Sequence, residues 1–124
     1  MEKIIIQKKE AGNKVFTLTA ERDGAYWFRF AISSLIIEGS ERRSGDTAYL
    51  GTKQLDFDVC KELDNRKNPF EPMSEALAGF VKELWKEAET CRGKKISYPF
   101  YGLGLAKIPA LTEEALAKLL KKRV

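Results

Sequence analysis

Residues 14–34 read KVFTLTAERDGAYWFRFAISS, two runs of alternating apolar and polar residues around Arg22-Asp23-Gly24, and this stretch decides the fold. Lys14 to Glu21 and Ala25 to Ser34 are expected to be antiparallel strands, joined by a three-residue turn with Gly24 in the left-handed region. That turn sets Glu21 against Ala25, Phe16 against Phe30, Leu18 against Phe28 and Ala20 against Tyr26, so every inward pair is apolar. A two-residue Asp23-Gly24 turn would instead set Leu18 against Arg29 and mix the faces, so the burial pattern selects the longer loop. The same register gathers Thr17, Thr19, Trp27 and Arg29 on the opposite face.

Upstream, Ile4 to Lys9 alternates as a short strand before the turn Ala11-Gly12-Asn13. Downstream, Leu35-Ile36-Ile37 extends the third strand or begins another, and Gly39 to Asp46 has loop composition. Thr47 to Leu50 and Gln54 to Val59 read as further strands. A long helix is read from about Met73, where Leu77, Phe80, Val81, Leu84, Ala88 and Cys91 recur at steps of three and four toward Gly93. The last helix has Thr112 as N-cap, Glu113 and Glu114 in its first turn, and Lys121, Lys122 and Arg123 in its last. The expectation is α+β: an N-terminal antiparallel sheet of four to five strands packed on one long helix, with a peripheral basic C-terminal helix.

With 124 residues, 44% apolar and 32% charged, the chain fits a single domain over residues 1–124. Seven Phe, four Tyr and two Trp against four Pro and nine Gly exclude collagen-like and disordered classes. No apolar run is long enough to span a membrane and none reads as a signal peptide, so no membrane association and a cytoplasmic location are expected. Cys60 and Cys91 stand far apart, and histidine is absent, which removes zinc spacings, a disulfide framework and every Ser-His or Cys-His nucleophile. No catalytic, cofactor or metal residue is assigned, and the reading leans away from an enzyme.

Net charge is +4. Met1 to Cys91 carries 14 Lys and Arg against 16 Asp and Glu, whereas Arg92 to Val124 carries 8 against 2, so the positive excess sits in the last quarter. Gly102-Leu103-Gly104 invites a phosphate-loop reading, but Pro109 falls where the following helix would run. Asp56 and Asp58, with Glu62 and Asp64 nearby, lack the spacing of a calcium loop and read as a solvated face. Candidate ligand contacts are Trp27, Arg29, Thr17 and Thr19 on the sheet, Arg42 and Arg43 in the following loop, Lys94 and Lys95 beside the aromatic Tyr98, Phe100 and Tyr101, and Lys118, Lys121 and Lys122 in the last helix.

An indole beside a guanidinium is a stacking and phosphate-pairing platform. The leading expectation is therefore a non-catalytic module that binds single-stranded nucleic acid or another polyanion through a sheet face and the basic C-terminal region. The alternative is a protein-interaction or inhibitor-like subunit that docks an acidic partner surface; a homodimer is compatible with either. The order of several strands followed by a helix over roughly Lys14 to Arg92 resembles single-strand nucleic-acid modules of the Whirly and Pur type. The likeness is one of layout, without a shared residue motif, and it transfers no site.

Overall fold

Period-two alternation carries the chain through four strands before the first helix begins. The computed structural model describes residues 3–90 and 99–121. Strands β1 (Lys3–Ala11), β2 (Lys14–Arg22), β3 (Trp27–Glu38) and β4 (Glu41–Gln54) form an antiparallel meander in the order β1-β2-β3-β4. Helices α1 (Phe57–Asp64) and α2 (Glu75–Ala88), a 3-10 turn (Leu105–Lys107) and α3 (Glu113–Lys121) follow.

The inward set Phe16, Leu18, Ala20, Phe28 and Phe30 is buried as expected, but its pairing differs. Glu21 faces Arg29, Ala20 faces Phe30 and Leu18 faces Ile32, so the ladder is offset by two residues on each strand. An even offset leaves every side chain on its face. The turn is still three residues long, but it is Gly24-Ala25-Tyr26: Asp23 N–H donates to Trp27 O at 2.8 Å, and Gly24 takes φ +134°. Tyr26 is drawn out of the hairpin because its carbonyl accepts from Leu55 N–H at 2.8 Å, tying the turn to the end of β4.

Two further expectations are corrected. Gly39 to Asp46 is not a loop: Glu38 pairs with Glu41 around a two-residue turn with Gly39 at φ +63°, and β3 continues through Leu35-Ile36-Ile37. The long β4 stays paired with β3 through two irregularities that each shift the register, and beside the one between Ser33 and Leu35, Ser34 Oγ donates to Asp46 O at 2.7 Å. Gln54 to Val59 is not a strand either, since α1 begins at Phe57 and buries Val59, Cys60 and Leu63 at helical spacing. The alternation of Leu55, Phe57 and Val59 was coincidental, and Phe57 is exposed.

The sheet packs against α1 and α2 rather than one long helix. Leu77, Val81, Leu84, Trp85 and Ala88 of α2 and Val59, Cys60 and Leu63 of α1 form one core cluster with Ile6, Phe16, Leu18, Phe28, Phe30 and Ile32. Phe100 joins it edge-on to Phe16, with ring centroids 4.9 Å apart. Ser74 caps α2, accepting from Leu77 N–H at 3.1 Å. The helix ends at Ala88, short of Gly93, which lies outside the described residues. Thr112 caps α3 as expected, accepting from Ala115 N–H at 3.1 Å. Over Glu113–Lys121 α3 carries two acidic and two basic residues and buries none, so it is peripheral; Lys122 and Arg123, on which its expected basic end rests, lie outside the described residues.

Candidate nucleic-acid interface

Because α1, α2 and the core cluster occupy one side of the sheet, its other side is built from the odd-phase residues of β2 and β3 and their cross-strand partners. They lie in rows across all four strands. One row runs Lys3, Glu21, Arg29, Thr52, the next Ile5, Thr19, Ala31, Tyr49, and the third Lys8, Thr17, Ser33, Thr47. Tyr49 is 77% exposed, the most exposed large hydrophobic residue described. Lys8 Nζ donates to Thr17 Oγ1 at 3.1 Å, and burial lowers its pKa from the usual lysine value.

The four expected platform residues share this face but do not form one cluster. Thr17 and Thr19 occupy separate rows, Arg29 lies opposite Glu21, and Trp27 stands at the far end opposite Gln54. The indole is 42% exposed and leans on the turn, where a Cβ at Gly24 would come 3.3 Å from its Cδ1. Arg29 forms ion pairs with Glu21 at 3.6 Å and Asp23 at 3.3 Å. The most exposed large hydrophobic side chain of the face is Tyr49, at the β4 end of the row through Thr19 and Ala31. Its signal in the sequence was present in Thr47-Ala48-Tyr49-Leu50, where it is out of phase with the buried Ala48 and Leu50.

The remaining cations are dispersed. Arg42 donates to Leu120 O at 2.9 Å, fastening the C-terminal end of α3 to β4, while Arg43 pairs with Glu38 at 3.2 Å. Leu119 borders a small cavity of about 130 Å³ with Val15 and Ile37, so α3 sits at the end of the face away from Trp27. Lys118 and Lys121 are exposed on α3, whereas Lys94, Lys95 and Lys122 lie outside the described residues. Among the described residues of the face, Lys3, Lys8, Arg29 and Arg42 stand against Glu10, Glu21 and Asp23, four cations to three carboxylates.

Gly102-Leu103-Gly104 has an internal occupant. Gly102 and Gly104 adopt φ +80° and +69°, and the Glu89 carboxylate accepts from Gly104 N–H and, at 3.0 Å, from Ala106 N–H. A loop of this shape offers backbone donors to an anion, and the protein supplies its own from the end of α2. Asp56 and Asp58 are exposed. Cys60 is buried, its thiol pKa raised chiefly by desolvation. No described helix is long and apolar enough to cross a membrane.

No protein-family model matches the chain, and neither a curated protein nor a solved structure matches it at a significant level.

Proposed function

We propose that the open sheet face binds single-stranded nucleic acid. The observation that carries this reading is the sidedness of the sheet: α1 and α2 pack on one face, while the other, beyond the end where α3 lies, presents a largely exposed tyrosine among hydroxyl rows and a small excess of cations. A base gains about 1 to 3 kcal/mol by stacking on such a ring whatever its identity, and lysine and arginine beside it meet the phosphates. Trp27 extends the platform at one end, and Lys118 and Lys121 extend the positive field at the other.

Fluorescence anisotropy with a labelled single strand of about twelve nucleotides tests the proposal. Affinity should fall linearly in log salt, and Tyr49→Ala should weaken it about tenfold, with an unchanged thermal melt. Tyr49→Phe should retain it, because the ring stacks and the hydroxyl does not. An acidic protein partner on the same face would also be salt-sensitive, but the protein would then leave a single strand unbound at low salt.

A further inference from the structure

Short side chains beside taller ones make a slot. Thr19 and Ala31 form its floor, Tyr49 rises at the β4 end of their row and the adjacent Lys3-Glu21-Arg29 row along its side, bounding about 310 Å³. Sites for small ligands begin near 300 Å³, so the space suits one base and not a larger fold of the strand. The slot is kept shallow and open by β4. Its ladder breaks between the Phe30–Gly51 and Ala31–Tyr49 pairs, and Gly51, at φ +83°, has no side chain to fill it.

The polar wall has unspent hydrogen-bonding capacity. Among the described residues, Arg29 forms only ion pairs, at 3.6 Å from Glu21 and 3.3 Å from Asp23, and no hydrogen bond to either. Glu21 accepts no hydrogen bond from a described side chain. A base standing against Tyr49 therefore meets, side by side, two carboxylate oxygens that accept and a guanidinium that donates. Guanine has the matching edge: N1–H and the N2 amino group donate in parallel to one carboxylate, and O6 beside them accepts from the arginine. Adenine, cytosine and thymine each set only one donor beside an acceptor on that edge, so the second carboxylate oxygen goes unanswered.

We propose, building on the single-strand reading above, that this slot is a guanine-selective subsite in which Tyr49 stacks the base and the Glu21–Arg29 pair reads its edge. Both side chains are held apart from the core, at 27% and 55% side-chain exposure, so their substitution is not expected to unfold the protein. The test uses labelled oligo(dT) of about twelve nucleotides and the same strand carrying one central dG, dA, dC or deoxyinosine. The dG strand should bind roughly tenfold more tightly than the dA and dC strands. Deoxyinosine, which lacks the N2 amino group, should fall to the level of dA. In Glu21→Gln the dG-to-dA ratio should drop to near one, with the thermal melt unchanged. Equal affinity for all the strands would overturn the guanine slot and leave the stacking platform standing, whereas no binding by any strand would overturn both. Displacement of the strand by free guanosine monophosphate at micromolar concentration would overturn the strand assignment in favour of a free nucleotide.

Discussion

Arg66 carries its guanidinium into the interior without an ion pair to any described carboxylate. It donates instead to four backbone carbonyls, Ile6 at 3.0 Å, Pro69 at 3.2 Å, Glu71 at 2.8 Å and Pro72 at 3.4 Å, and so ties the loop after α1 to the edge of β1. Burial lowers its pKa from the ordinary arginine value, yet arginine stays charged at any working pH. Arg66→Met should leave these carbonyls without donors and cost about 3 kcal/mol or more in urea denaturation. Arg66→Lys should rescue little of this, because one ammonium cannot span the fan of acceptors.

Lys9 lies over the Trp85 ring at 4.7 Å and donates to Leu105 O at 2.6 Å. Desolvation brings its pKa down from 10.5 to about 8, with Glu89 pulling the other way. The folded state therefore favours the neutral amine, while the unfolded chain holds the proton up to 10.5. Stability should climb as pH rises from about 8 toward 10.5 and should be lowest below that window. Relative to Lys9→Met, the wild type should gain on the order of 2 kcal/mol across it in chemical denaturation. A pH-independent difference between the two would contradict the buried amine.

At the scale of elements, β4 depends on two glycines for different reasons. Gly51 needs its positive φ of +83°, and an added Cβ there would meet nothing within 4 Å. Gly51→Ala should therefore cost about 1 to 2 kcal/mol through the backbone alone. Gly45 has no such torsion, but a Cβ would approach Ser34 Oγ to 2.5 Å and displace the hydroxyl that holds Asp46 O. Ser34→Ala should partly relieve Gly45→Ala and leave the Gly51→Ala penalty untouched, a difference that a double-mutant cycle on thermal stability measures.

For the whole molecule, the sheet and helices share one core, and Phe28 and Leu84 sit in it with 0% and 1% exposure. Truncating either to alanine should cost about 2 to 5 kcal/mol, most of the stability of a domain this size. Replacing Lys118 and Lys121, on a helix that buries no residue, should leave the melt unchanged. The same change should slow association with a single strand and flatten its salt dependence, as measured by stopped-flow fluorescence.

Which residues face inward was legible from the chain, because the pleat alternates strictly and Phe16, Leu18, Phe28 and Phe30 can satisfy the hydrophobic effect only together. The capping of α3 by Thr112 was legible for the same local reason, since a hydroxyl three residues ahead of an orphan N–H suffices. Partners across the ladder were not legible. The hairpin offset depends on Tyr26 O meeting Leu55 N–H, a bond across a long stretch of chain that no local pattern announces. Gln54 to Val59 alternates like a strand but is helical from Phe57, because only the packed core decides that Val59, Cys60 and Leu63 must point one way. The candidate site divided along the same line. Sequence alternation put Thr17, Thr19, Trp27 and Arg29 on one face. Tertiary pairing spread them apart, set Arg29 beside Glu21 and brought Tyr49 in line with Thr19 and Ala31 at the β4 edge, because register is a non-local property of strands that meet only in the folded sheet.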